Sequence, residues 1–276
     1  MTPRTPVAWP DGTRRALCLT FDLDGPTMWT SRDPSAVRRP SVVSHGVYDV
    51  EEGLVNVLDF LDRNGISCTF FVPSDVAAAY PQAVQEIVRR GHEVGSHGTD
   101  HVPLSVDASA EQETELIQRS TELLEDVAQV RPVGYRAPLY SVTDRTWSIL
   151  AGLGYRYSSN LMDSIHPYQH PEGIVEVPVQ WVLDDGLYFL VSYHPPNYRV
   201  PRAAAEVASI WLDELRGVGD SGGALTMTLH PQLVGRPSRI GILQELVDSA
   251  VELGDFWFPR LVELSDHVSA TAEPVG

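Results

Sequence analysis

Short runs of consecutive apolar residues alternate along the chain with longer stretches in which apolar residues recur every three or four positions. The first pattern predicts strands covered on both faces, the second helices packed by one side. Residues 16–21 form the clearest strand. Runs at 66–72, 92–95, 133–135, 155–159, 174–177, 224–229 and 255–258 complete the set. Between them, 50–64 places Val50, Leu54, Val57, Leu58 and Leu61 at helical spacing and stops at Gly65. Helices are expected over 81–90, with Pro81 in the first turn, and over 109–127. Acidic Glu111, Glu113 and Glu115 suit the positive end of the second. Further helices are read at 143–150 and 203–215, from a capping Ser238 to Gly254, and from Pro259. Segment 25–49 shows no period. Its Pro26, Pro34, Pro40 and Gly46 predict a long irregular loop, of the kind that often carries function.

Strands and helices alternating from end to end imply a parallel sheet with helical crossovers. Seven or eight strands over this length fit a distorted (β/α) barrel, read as one domain over residues 1–276. No internal repeat or linker is visible.

Composition narrows the function classes. A charge of −17, spread over 276 residues, excludes nucleic acid as a partner, because phosphate binding needs a basic face. No apolar stretch reaches the length of a membrane span. Cys18 and Cys68 lie in apolar runs and read as reduced, buried thiols rather than a disulfide framework. Residues 1–15 lack the apolar core of a secretory signal, so a cytoplasmic location is expected.

The candidate chemistry falls at the ends of the strands. Asp22 and Asp24 follow the first, His97 and His101 the third, Arg136 the fourth, Asp163 the fifth and His230 the seventh. In a β/α barrel those carboxyl ends share one face, where active sites are built. Two imidazoles four residues apart, with a carboxylate, make a ligand set for a zinc-like ion. Each feature alone has a plainer reading: a solvated turn for the histidine pair, a helix cap for Asp22 or Asp24, a turn cap for Asp163. Arg136 could pair with a surface carboxylate, and His230 could be a packed core histidine. Their common placement favours a site. His45, His92, His166, His170, His194 and His267 have no such company and read as surface or packing residues. The loops of His45 and His166 are expected to overhang the site. Trp29, Trp181 and Tyr140 are candidates for its lining.

These motifs resemble the NodB-like polysaccharide deacetylase family, carbohydrate esterase family 4. Residues 20–26 (TFDLDGP) resemble its first motif, 96–101 (SHGTDH) its second, 136–138 (RAP) its third and 229–231 (LHP) its fifth. Asp163 is taken for the fourth. The resemblance implies a divalent metal, commonly Zn2+, on Asp24, His97 and His101. It implies Asp22 as general base oriented by Arg136, and His230 as general acid tuned by Asp163. The backbone amide at Leu139 would help hold the oxyanion. Two departures, Leu23 between the aspartates and Leu139 in place of a usual tyrosine, resemble a subgroup. That subgroup contains cyclic imide hydrolases, cofactor-independent allantoinases and atypical peptidoglycan deacetylases. Its members form homo-oligomers, often tetramers.

The implied reaction is hydrolysis of a non-peptide C–N amide bond. With no export signal in view, a small cyclic imide, ureide or N-acyl substrate is expected. De-N-acetylation of peptidoglycan or another polysaccharide is the alternative. A catalytically silent metal- or carbohydrate-binding module is the reading from another class.

Overall fold

The structure is a computed structural model describing residues 7–193, 196–197 and 199–271; His194 lies outside the described residues. It is organised around β1 (Arg15–Asp22), an eight-residue strand buried along its whole length. Next come β2 (Thr69–Val72), β3 (Glu93–Ser96), β4 (Gly134–Tyr135), β5 (Tyr157–Ser158), β6 (Tyr168–Gln169) and β7 (Val175–Glu176). The rest are β8 (Ser192–Tyr193), β9 (Pro196–Asn197), β10 (Ala224–Leu229) and β11 (Phe256–Trp257). The main sheet runs β10-β1-β2-β3-β4-β5-β7-β6, with β11 added at the start of β1. All its pairings are parallel except β6 with β7. β8 and β9 form a separate antiparallel ribbon.

The sheet curves into an incomplete barrel. Across the gap, the Ala224 N–H donates to the Ile165 carbonyl at 2.8 Å, and Asp184 makes a parallel bridge to Thr228. The two faces of β1 feed different cores, as strand alternation requires. Leu17, Leu19 and Phe21 pack with Leu58, Phe70, Trp211 and Leu243 under the outer helices. Ala16 and Cys18 point the other way, to Phe71, Tyr157, Val175 and Leu264. Each fully buried Leu or Phe contributes about 1.5–3 kcal/mol by leaving water.

The distorted barrel expected from the sequence is thus present, and most predicted elements fall within a few residues of their expected bounds. Two expectations need correction. Segment 25–49 is mostly helical, over Thr27–Thr30, Pro34–Arg38 and Pro40–Tyr48. Pro34 and Pro40 stand in first turns, where a missing N–H costs nothing, and the Asp33 side chain caps Ser35 N–H. The prolines start helices here rather than interrupting a loop. Ser238 makes no cap; the helix Ile240–Leu253 begins after Arg239 without a side-chain cap. The short β6 and the helix Ser74–Ala79 carried too few residues to show a period.

Parallel pairing puts strand carboxyl ends on one face. β1 ends at Asp22, β3 hands over to His97, β4 to Arg136 and β10 to His230. Gly25, at φ +52, turns the chain away from β1 just after Asp24.

Candidate active site

Asp24 is fully buried, and three imidazoles face its carboxylate. His97 Nε2 lies 3.5 Å from Oδ1; His101 Nε2 and His230 Nε2 lie 3.4 and 3.5 Å from Oδ2. Neither Asp24 oxygen accepts a hydrogen bond among the described residues. A buried carboxylate in that condition is costly unless a cation joins it. His97 Nδ1–H donates to the Arg136 carbonyl at 2.8 Å, leaving Nε2 turned to Asp24 with its lone pair free. Burial lowers the pKa of His97 and holds His101 down to about 3. The neutral imidazoles this favours are the ligating form. One ligand atom from each of Asp24, His97 and His101 lies within 4.8 Å of the others, so this donor set fits a divalent cation.

Asp22 stands beside this triad, its Oδ2 3.9 Å from His97 Nε2. Its Oδ1 accepts from Arg136 Nη1 at 2.7 Å. Burial alone would raise the Asp22 carboxyl, but Arg136 and the nearby histidines outweigh it and hold it low. The buried guanidinium is fixed on every side. Its Nη1 also donates to Thr20 Oγ1 at 2.8 Å, Nη2 donates to Ser159 Oγ at 2.9 Å, and the group stacks 4.3 Å from the Phe71 ring centre. An ionised carboxylate held this way can accept a proton without moving.

Across the triad, His230 Nδ1–H donates to Asp185 Oδ1 at 2.6 Å, and the His230 backbone N–H donates to Asp185 Oδ2 at 3.0 Å. Burial would depress the imidazole, but the carboxylates of Asp185, Asp24 and Asp184 raise it well above the ordinary histidine value. A protonated Nε2 aimed into the site can give a proton up. Asp184, Asp185 and His230 also offer ligand atoms within 4.8 Å of one another. Asp185 is engaged by His230, and Asp184 accepts from Tyr140 OH and Gly186 N–H, both at 2.8 Å. These bonds make the trio a proton-holding network rather than a second cation cage.

Asp163 does not occupy the position expected of it. It is exposed in the loop after β5 and accepts from Tyr168 OH at 3.1 Å, while Asp185 holds His230. Position mattered more than distance from a strand end: Asp185 lies nine residues beyond β7, where the Asp184–Thr228 bridge carries the chain back beside β10. The adjacent pair Asp184-Asp185 before Gly186 was the available signal in the sequence. Sequence reasoning also passed over Asp49, which is buried and accepts from the backbone N–H of both Gly25 and Gln232.

Leu139 and Tyr140 adopt consecutive positive φ values of 55° and 57°, a strained turn for side chains of this size. The turn follows Arg136, and the Ala137 N–H is anchored on Asn160 Oδ1 at 2.7 Å. It sends Leu139 to the rim of a cavity of about 430 Å3 that also reaches Asp22, His97, His101 and His230. Tyr140 and Trp181 line it as expected, whereas Trp29 is buried and packs against His45.

Among solved structures, a candidate polysaccharide deacetylase from Mycobacterium smegmatis is 37% identical, with a TM-score of 0.94 over 98% of this chain and 95% of that one. The PuuE allantoinase shares the fold, with a TM-score of 0.84 at 19% identity over 98% of this chain and 95% of its own. The peptidoglycan deacetylase of Helicobacter pylori is 25% identical over 239 residues, covering 76% of this chain and 81% of that protein. The family model for polysaccharide deacetylase matches residues 10–158, which include Asp22, Asp24, His97, His101 and Arg136. On that match, more than half of its length, this chain belongs to the polysaccharide deacetylase family.

Proposed function

We propose that this chain is a metal-dependent hydrolase of non-peptide C–N bonds, acting on a small cyclic imide, ureide or N-acyl compound. One observation carries the reading. A buried two-histidine, one-aspartate triad is flanked by an arginine-held carboxylate on one side and a carboxylate-held imidazole on the other. A module that only binds needs neither flank.

Bound by Asp24, His97 and His101, a divalent ion, most simply Zn2+, would polarise the acyl oxygen and make water more acidic. Asp22, kept ionised by Arg136, takes the proton from attacking water. His230, kept protonated by Asp185, passes its proton to the departing nitrogen, which is a poor leaving group without it. Asp185 thus takes the tuning role first given to Asp163. The backbone amide of Leu139, set in its strained turn, is the donor proposed for the developing oxyanion. Leu139, Trp181 and Leu187, all partly exposed at the cavity, would exclude water around a compact substrate.

The relationship to the Helicobacter pylori protein supports a second reading, de-N-acetylation of peptidoglycan. Zinc-loaded protein assayed on a cyclic imide, on allantoin and on N-acetylglucosamine oligomers separates the two. Turnover of the imide or allantoin is expected. Activity confined to the oligomers would replace the small-substrate reading with the second. Size-exclusion chromatography with light scattering tests whether the enzyme is the homo-oligomer, often a tetramer, suggested by its subgroup.

A further inference from the structure

Arg32 lines the same cavity as Asp22, His97, His101 and His230. It makes no hydrogen bond or ion pair among the described residues. The chain has 37 acidic residues, 20 arginines and no lysine, and several exposed arginines, Arg38, Arg39 and Arg63 among them, likewise have no side-chain partner among the described residues; Arg32 differs from these in lining the cavity. Other arginines are paired: Arg15 on Asp255, Arg90 on Asp59, Asp62 and Glu86, Arg145 on Glu113. Arg199 also borders this cavity. Arg32 is close enough for its charge to act on both Asp24 and His101. The cavity wall otherwise includes Met28, Leu139, Trp181 and Leu190, which have no charge to offer.

We propose that Arg32 is a subsite for a carboxylate on the substrate. The favoured substrate is then an acidic N-acyl compound or an imide carrying a carboxylate, its anionic group a short distance from the bond that breaks. A planar guanidinium matches a carboxylate with two parallel N–H···O bonds. Without such a group an acid would be disfavoured, because Asp22, Asp24 and Asp184 crowd the site. The overall charge of −17 matters less, since at physiological salt it is screened beyond about 8 Å. The same chemistry has two sources: a free N-acyl amino acid, or the lactyl carboxylate of a muramic acid residue.

The inference rests on the hydrolase reading, and the experiment separates the failure of each. Zinc-loaded protein is assayed on two matched pairs: an N-acetyl amino acid against its methylamide, and N-acetylmuramic acid against N-acetylglucosamine. The acidic member of at least one pair should be preferred in kcat/KM by about tenfold. Which pair responds identifies the source. Arg32→Ala should bring that preference close to one, chiefly through KM, and Arg32→Glu should invert it. No preference in the native enzyme, or an equal preference in Arg32→Ala, overturns the subsite. If neither pair is turned over, the hydrolase reading fails for these substrates and succinate binding by calorimetry decides the subsite. Affinity about tenfold weaker in Arg32→Ala supports it; equal affinity, or no binding to the native protein, overturns it.

Discussion

Asp185 grips His230 twice, one carboxylate oxygen on the ring Nδ1–H at 2.6 Å and the other on the backbone N–H at 3.0 Å. The ring is thereby oriented and its protonated form favoured. Replacing Asp185 by Asn removes the charge but not the shape. The His230 pKa, raised well above the ordinary value, should then fall. Activity that needs a protonated His230 should disappear at lower pH, so the alkaline limb of the kcat/KM profile moves down. The rate at neutral pH should drop by about 10²–10⁴-fold, with metal content unchanged. An alkaline limb that stays in place would remove His230 as the proton donor. Stability responds with the same sign. A raised folded-state pKa gives stability present below the unfolded value near 6.5 and lost as pH rises through the folded value. Asp185→Asn should weaken that dependence.

On the opposite flank, Arg136 and Asp22 form a fully buried pair at 2.7 Å. Asp22→Asn should cut turnover by about 10²-fold or more and leave the metal bound, because Asp22 is not in the triad. Native-like turnover in Asp22→Asn would mean the proton acceptor lies elsewhere. Arg136→Gln should shift the acidic limb upward. Asp22 is held below its ordinary value, so activity survives acidification until Asp22 protonates; without Arg136 it protonates sooner. Removing one partner strands the other charge in the interior, so Arg136→Gln should also cost about 3–5 kcal/mol of stability by denaturant titration.

Much of this arrangement was legible in the residues. The run 16–21 reads as a covered strand because it is continuous and mostly apolar, and every one of its residues is buried; the carboxyl ends of β1, β3, β4 and β10 carry the residues expected there. What escaped depends on contacts between distant segments. Beyond the adjacent pair Asp184-Asp185, what sets Asp185 apart from Asp163 is the Asp184–Thr228 bridge, which returns the chain beside β10, a pairing no local pattern encodes. Asp49 sits in the π-helical turn Asp49–Gly53, within a segment whose prolines suggested a loop. Its two partners, Gly25 and Gln232, are 24 residues before it and 183 after.

The metal triad predicts an unusual dependence of stability on pH. Burial raises the Asp24 carboxyl above its ordinary value, so without a cation its charged form is disfavoured in the fold relative to the unfolded chain. The sign follows for this group: the Asp24 contribution to apoprotein stability is present below the unfolded value of 3.8 and lost as pH rises through the raised folded value, whereas Asp22, His97 and His101, all held below their ordinary values, contribute stability that is lost on acidification. Adding Zn2+ at neutral pH should restore the stability lost through Asp24, by an amount that grows with metal concentration. Asp24→Asn should lose metal binding yet be more stable than the native apoprotein at neutral pH, having no buried charge to desolvate. Thermal unfolding of the chelated and zinc-loaded forms, with metal analysis, checks both statements. Equal Tm with and without zinc would remove the cation from the site.

Asp49 ties the two halves of the site together. It belongs to a continuous helical stretch, Pro40–Tyr48 followed by Asp49–Gly53, that crosses the loops after Asp24 and His230. Gly46, Asp49 and Gly53, at intervals of three and four, turn one face toward those loops. A Cβ on Gly46 would lie 2.3 Å from Pro26 N, and one on Gly53 2.5 Å from the Pro231 carbonyl oxygen. Only bare backbone fits at those two contacts. Between them Asp49 accepts from Gly25 N–H at 2.7 Å and from Gln232 N–H at 2.9 Å. One carboxylate therefore fixes the residue after a proposed metal ligand and the residue two past the proposed acid. Asp49→Ala strands both N–H groups in the interior, at about 1–3 kcal/mol each. It should lower Tm, weaken zinc affinity and reduce kcat together, since the spacing of Asp24 and His230 relaxes. Asp49→Asn keeps one acceptor and should fall between Ala and the native enzyme on all three measures. Gly46→Ala, which leaves Asp49 intact but pushes the helix off Pro26, should shift them in the same direction. If Asp49→Ala lowered Tm while kcat and zinc affinity held, the carboxylate would be a strut for the fold and not a clamp on the site.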